Sequence, residues 1–173
     1  MHMRHDWQQA GVTTLPVMFG YLPLGAAFGI LAAEIGIPAW GALLMSLIIY
    51  AGAGQFLAIA LLAGGAGLTE VAVATLMLNS RHLFYGLSLL RRFQGAGWRK
   101  PYLIFALTDE TYSLLTAHGG DGGLDHAQAF RISLLNHLWW VLGSMAGGLA
   151  STTLTFDTRG IEFALTALFI VLT

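Results

Sequence analysis

Long apolar runs with few charges are the feature that most constrains how this chain can fold. A helix that crosses a bilayer needs about 20 mostly apolar residues, and the chain has several runs near that length. They are Leu15–Ala33, Gly41–Ala63, Glu70–Leu90, Pro101–Ala117, Ala129–Leu149, and a last run that begins at Ile161 and ends at Thr173. The sequence therefore predicts an all-α protein, a polytopic transmembrane helix bundle with about six hydrophobic segments.

The balance of charged and apolar residues supports this prediction. Only 10% of the residues are charged, against about 25% in a typical soluble domain. A water-soluble chain with so few charges could not cover its own surface, whereas lipid removes that requirement. The net charge of −1 gives no electrostatic case for binding nucleic acid. The chain has no cysteine, which excludes disulfides and thiolate metal sites.

The whole chain, residues 1–173, is expected to form one transmembrane domain. Its last apolar run stops at Thr173 without a charge, a cap or a loop, so we expect a truncated C-terminus. The loop at residues 91–100 carries four basic residues and is the best cytoplasmic candidate under the positive-inside rule. The orientation of the N-terminus stays open, because a re-entrant second or third segment would reverse it.

The first polar motif inside an apolar run is Tyr50-Ala-Gly-Ala-Gly-Gln55. Gly52 and Gly54 each weaken a helix by about 1 kcal/mol relative to alanine. The stretch can therefore unwind and leave backbone groups free to bind a ligand, with Gln55 adding a donor and an acceptor. The alternative is a close helix crossing at the two glycines, with Gln55 bonded to a neighbouring helix.

The second motif is Asn79-Ser-Arg-His82, between two apolar stretches. Arg81 cannot be deprotonated in a protein, and an arginine at the bilayer centre costs at least about 2.5–3.5 kcal/mol. It must therefore face a carboxylate, carbonyls, water or an anionic substrate. Three interpretations remain open: Asn79, Arg81 and His82 serve substrate binding or ion coupling, they hold a structural ion pair, or they form a polar turn at the membrane edge.

The third motif is Thr108-Asp-Glu-Thr111, inside the fourth run. Neighbouring helical positions point about 100° apart, so Asp109 and Glu110 need not share a partner. One carboxylate is expected within salt-bridge reach of Arg81, and the other can take and release a proton. The alternative is that both lie at the lipid–water boundary as the end of a helix.

Two weaker signals lie elsewhere in the chain. Asn136-His137 falls within the fifth run, where an interior histidine is more often a core residue than a ligand. Two GxxxG spacings, at residues 25–29 and 143–147, mark either an inverted repeat or the general richness of membrane helices in glycine.

Several longer motifs together resemble the AzlC family, the large subunits of bacterial branched-chain amino acid exporters. They are PVMFGYLPLGAAFG at 16–29, SLIIYAGAGQF at 46–56, LMLNSRHLFYGLSL at 76–89 and TDETY at 108–112. The resemblance implies a multi-pass protein of the bacterial cytoplasmic (inner) membrane that works with a small hydrophobic AzlD-type subunit. The candidate substrate-binding or coupling residues that it carries over are Gly52, Gly54, Gln55, Asn79, Arg81, His82, Asp109 and Glu110.

The expected function is a secondary transporter subunit that exports branched-chain or similar small hydrophobic amino acids, coupled to protons. The alternative is a channel or facilitator for a small solute. An enzyme is not expected, because the chain has no GxSxG, HExxH or P-loop motif. For the same reason no cofactor or metal is expected.

Overall fold

The computed structural model describes residues 2–118 and 125–153, and all regular structure within them is helical. The helices are α1 (His2–Glu34), α2 (Ala39–Ile48), α3 (Gly52–Ala63), α4 (Leu68–Asn79), α5 (Arg81–Leu89), α6 (Lys100–Phe105), α7 (Asp109–His118) and α8 (His126–Thr153). A short 3₁₀ turn, Gly97–Arg99, precedes α6. The all-α prediction is confirmed for these residues, and the predicted run from Ile161 to Thr173 lies outside them.

Three of the predicted spans are each divided into two shorter helices. Tyr50, with a φ of 43°, lies between α2 and α3. Ser80 separates α4 from α5, and residues 106–108 separate α6 from α7. Among the described helices, only residues 5–34 are long and apolar enough to cross a membrane as one helix. The number of spans therefore stays a prediction, and the expectation of broken helices is met at the three polar motifs.

The described residues fall into two compact units. The first unit is drawn from Met1–Phe19 and Ser80–Leu138, and the second from Gly20–Asn79 and Trp139–Thr173. The long helices α1 and α8 each contribute residues to both units.

The core of the first unit is built from α5, α6, α7 and the first half of α8. Its buried apolar side chains are Ala10, Leu89, Phe93, Ala96, Leu103, Leu107, Leu115, Ala129 and Ile132. An ion pair at 3.1 Å between Arg131 Nη2 and Asp6 Oδ2 joins the start of α8 to the start of α1. The guanidinium of Arg131 also lies 5.9 Å from the centre of the Trp7 ring. The charge at the start of the fifth predicted span is thus neutralised within its own unit.

The core of the second unit is organised by a close crossing of α1 and α8. A Cβ atom added to Gly25 would lie 2.9 Å from the backbone nitrogen of Ser144. One added to Gly143 would lie 2.6 Å from the carbonyl oxygen of Leu22. The two GxxxG spacings therefore pack against each other, and helix packing accounts for them without an internal repeat.

Candidate functional site

The eight candidate residues of the sequence divide between the two units. Gly52, Gly54, Gln55 and Asn79 belong to the second unit, whereas Arg81, His82, Asp109 and Glu110 belong to the first. Each group has its own geometry and is described separately.

In the first unit, Arg81 and Asp109 form an ion pair. Arg81 Nη1 lies 2.9 Å from Asp109 Oδ2, and the two side chains are 25% and 32% exposed. The expected salt bridge is therefore confirmed with Asp109 as the partner. Asp109 is the first residue of α7, where the helix dipole favours a negative charge. The Nε atom of Arg81 is buried and has no hydrogen-bond partner among the described residues.

A tyrosine completes the coordination of the Asp109 carboxylate. The hydroxyl of Tyr85 donates a hydrogen bond of 2.5 Å to Asp109 Oδ1, the oxygen that Arg81 does not hold. The Tyr85 ring stacks on that of Tyr112 at 4.6 Å between centroids. Ser88 donates to the Tyr112 hydroxyl at 3.2 Å. Both oxygens of the carboxylate are thus fixed, and an aromatic pair flanks it.

The sequence interpretation missed Tyr85, Tyr112 and Ser88, although helical spacing points to them. Tyr85 and Ser88 follow Arg81 by four and seven residues, which places all three on one face of α5. Tyr112 follows Asp109 by three residues, so those two share a face of α7.

The other two candidates of the first unit lie beside the ion pair. The His82 ring meets the Tyr85 ring edge-on, with 5.8 Å between centroids. Glu110 is exposed in the first turn of α7. The prediction that the two carboxylates need not share a partner fits this arrangement, because Arg81 pairs with Asp109.

In the second unit, Gln55 lies at the break between α2 and α3 and is fully buried. Its Oε1 accepts hydrogen bonds from the backbone N–H of Ala51 at 3.3 Å and from Trp140 Nε1 at 3.0 Å. Its Nε2 donates to Ser46 Oγ at 3.2 Å. The side-chain amide of Gln55 therefore accepts the hydrogen bond of the Ala51 N–H, which in a continuous helix would go to a backbone carbonyl.

These bonds close into a ring. Ser46 donates to Ser144 Oγ at 2.8 Å, and Ser144 donates to the carbonyl of Trp140 at 2.8 Å. The indole of Trp140 then donates back to Gln55, so one cycle of hydrogen bonds links α2, α3 and α8. A fully bonded buried network of this kind rigidifies a core. Its geometry favours a structural role for Gln55.

The two glycines of the first motif lie inside α3, whereas Tyr50 and Ala51 of the same motif are outside any helix. The break falls just before them, at residues 49–51. A Cβ on Gly52 would lie 3.0 Å from the Trp140 ring, and one on Gly54 would lie 2.7 Å from Asn79 Nδ2. Both glycines therefore serve close packing. Asn79 Oδ1 is buried and has no hydrogen-bond partner within the described part of the chain.

His137, the weaker histidine candidate, belongs to no cluster of His, Asp or Glu side chains suited to a metal among the described residues. In residues 2–118 and 125–153, no group of three or more His, Cys, Asp or Glu side chains is arranged to hold a metal ion. His137 is buried, and its Nδ1 shares a 3.1 Å hydrogen bond with the Tyr102 hydroxyl. This contact places the weaker histidine candidate in a packed aromatic setting.

Comparison with known proteins places these motifs in one family. The model of the family described as AzlC protein matches residues 16–154. An uncharacterized membrane protein of Helicobacter pylori (strain J99) is 48% identical over 160 residues, which cover 92% of this chain and 70% of the relative. The Bacillus subtilis branched-chain amino acid transport protein AzlC is 40% identical over 160 residues, 92% of this chain and 63% of the relative.

A more distant relative agrees with these two. The Escherichia coli inner membrane protein YgaZ is 31% identical over 158 residues, 88% of this chain and 64% of the relative. No solved structure matches the chain. The names of the relatives support a membrane location. Because the family model covers most of the sequence and the matched relatives share up to 48% identity, the chain belongs to the AzlC family.

Proposed function

We propose that this chain is the large subunit of a secondary transporter that exports branched-chain or similar small hydrophobic amino acids. The transporter works as a multi-pass protein of the bacterial cytoplasmic membrane, together with a small hydrophobic AzlD-type subunit. Support comes from family membership and from the name of the Bacillus subtilis relative. That relative is longer than this chain, since the matched region is 63% of its length.

The observation that carries the proposal is the partly exposed ion pair of Arg81 and Asp109, in which one donor of Arg81 is unused. An amino acid is a zwitterion, so its carboxylate can bind the guanidinium while its ammonium binds the aspartate. Arg81 Nε is buried without a partner among the described residues, and it offers the substrate carboxylate a donor that Asp109 does not use. Between cycles the two side chains neutralise each other, which avoids an isolated charge at membrane depth.

Proton coupling follows from the chemistry of the same pair. A carboxylate is a group for which a proton and a substrate ammonium can compete, whereas a guanidinium is not. Protonation would remove the negative charge that holds Arg81 and would weaken the acceptor of the Tyr85 hydroxyl. A proton would thus compete with the substrate ammonium for one carboxylate, which links the two fluxes.

The test is efflux of leucine, valine and isoleucine from cells that express the full-length gene. It is measured with and without the small subunit, and with and without an uncoupler. We expect efflux that requires the small subunit and collapses with the uncoupler. Efflux that ignores the uncoupler would instead support a channel or facilitator, and no efflux of any of the three would refute the substrate class.

A matched pair of variants tests the ion pair itself. Asp109→Asn removes the charge that holds Arg81, and we expect efflux to be abolished. Glu110→Gln makes the same chemical change at an exposed neighbour in the same helical turn, and we expect efflux close to wild type. Equal effects of the two changes would contradict the assignment of Asp109.

A further inference from the structure

A second buried polar group lies in the first unit, away from the ion pair. Hydrogen bonds join the side chains of Thr108, Thr111 and Asn136, and Ser133 lies three residues before Asn136 on α8. These four side chains are here called the hydroxyl–amide cluster. Thr108 is 7% exposed and the other three are fully buried. Thr108 and Thr111 lie at the break between α6 and α7, whereas Ser133 and Asn136 lie one turn apart on α8.

Three hydrogen bonds hold part of the cluster together. Asn136 Nδ2 donates to Thr111 Oγ1 at 3.0 Å, and Thr108 Oγ1 donates to the same oxygen at 3.0 Å. The backbone N–H of Thr111 donates to Thr108 Oγ1 at 3.2 Å. These bonds fix the positions of the oxygens, because the cluster is anchored on α7 and on α8 at once.

The bonds leave two oxygens without partners. Ser133 Oγ and Asn136 Oδ1 are buried and have no hydrogen-bond partner among the described residues. Buried polar atoms are nearly always satisfied in native proteins, by protein, ordered water or an ion. Both orphaned atoms lie on the same face of α8. Asn136 Oδ1 therefore lacks a donor or a cation, and the Ser133 hydroxyl lacks a partner of either kind.

We propose that the hydroxyl–amide cluster binds a sodium ion. Its candidate ligands are the neutral oxygens of Ser133, Asn136 and the two threonines, which suit a hard monovalent cation. Calcium and magnesium rely on carboxylate ligands, and the cluster contains none. A helix break adds to the case, because the carbonyl end of a half-helix and unwound backbone coordinate sodium in transporters built from broken helices.

The position of the cluster gives the ion a role in transport. Asp109 directly follows Thr108. An ion that holds the α6–α7 break in place would therefore also hold the Asp109 carboxylate in position for its ion pair with Arg81. This role rests on the proposed transport function, whereas sodium binding by the cluster does not. Sodium would then be a second coupling ion of the transporter, beside the proton.

The test for binding uses thermal unfolding of the purified full-length protein with its small subunit. The midpoint is measured in sodium, potassium and choline chloride at equal ionic strength. We expect a rise that only sodium produces. In Ser133→Ala the sodium concentration for half the effect should increase about 10-fold or more, since perturbing the surroundings of a bound metal costs about that factor. Ser113→Ala is the matched control, because this exposed hydroxyl on α7 donates to the carbonyl of Asp109 and lies outside the hydroxyl–amide cluster.

The wild-type titration decides the question even if a variant folds poorly. A midpoint that is the same in sodium and potassium would overturn the proposal and assign the two orphaned oxygens to buried water. Leucine efflux at a fixed proton gradient then separates the two ideas. Efflux unaffected by sodium removal would refute the coupling role and leave the exporter standing. Sodium binding without efflux of any branched-chain amino acid would refute the exporter and leave the site.

Discussion

The α1–α8 crossing of the second unit gives a prediction in which two similar substitutions act in opposite directions. Gly20 and Gly25 lie five residues apart on α1. A Cβ on Gly20 would meet no atom within 4 Å, whereas one on Gly25 would lie 2.9 Å from both Ser144 N and Trp140 O. Both changes to alanine favour the helix by about 0.5–1 kcal/mol. Only Gly25→Ala must also push two backbones apart.

The size of the difference follows from these contacts. Overpacking costs about 1–3 kcal/mol, and the upper end applies at Gly25 because backbone cannot rotate out of the way. Gly25→Ala should therefore lose about 2 kcal/mol net, while Gly20→Ala gains up to about 1 kcal/mol. A separation of about 3 kcal/mol corresponds to about 6–12 °C in midpoint for a chain of this size.

The assay is thermal unfolding of the full-length protein in detergent, followed by tryptophan fluorescence. Trp140, one of five tryptophans in the chain, lies at the crossing, so part of the emission reports on the packing that the substitution disturbs. Gly20→Ala controls for the helix-propensity gain. If Gly25→Ala proved as stable as Gly20→Ala, α1 and α8 would not cross at these glycines, and the described core of the second unit would be wrong.

The two polar networks give further predictions. Tyr85→Phe removes one donor to Asp109, and a hydrogen bond to a charged group contributes about 1.5–3 kcal/mol. We expect at least a tenfold loss of leucine efflux with normal membrane levels, and wild-type efflux would show that the bond is dispensable. Gln55→Ala removes the acceptor of the Trp140 N–H and one donor to the Ser46 hydroxyl, at about 1–2 kcal/mol for each interhelical bond. Its unfolding midpoint should fall clearly below wild type, and an unchanged midpoint would contradict the closed ring of hydrogen bonds.

The sequence predicted the positions of the polar motifs better than the helices that carry them. The apolar runs predicted where helices form. The cost of a buried arginine predicted that Arg81 needed a partner, and Asp109 or Glu110 was expected within salt-bridge reach. The pairing with Asp109 confirmed that argument. The same reasoning could not foresee that the fourth run breaks at residues 106–108, because no proline or glycine lies at that point.

The partners of Gln55 show a different limit. The sequence separates Gln55 from Trp140 by 85 positions, and no local pattern connects them. Helix periodicity can indicate which residues share a face of one helix, as for Arg81 and Tyr85. It cannot indicate which faces of different helices meet, and this is why the ring through Ser46 and Ser144 emerged only from the structure.

The breaks explain why polar residues occur in these apolar runs at all. Backbone that leaves the helical pattern in lipid must find hydrogen bonds nearby. Gln55 supplies one to the N–H of Ala51 at the first break, and Thr108 supplies one to the N–H of Thr111 at the third. A polar residue beside a break can therefore be explained by its hydrogen bond to unpaired backbone, without any role in binding a substrate. Arg81 and Asp109 differ from these residues, because a neutral polar side chain would be enough to form a hydrogen bond with unpaired backbone, and these two side chains are charged. The excess charge, rather than polarity as such, is what singles out this pair as the place where a zwitterion would bind.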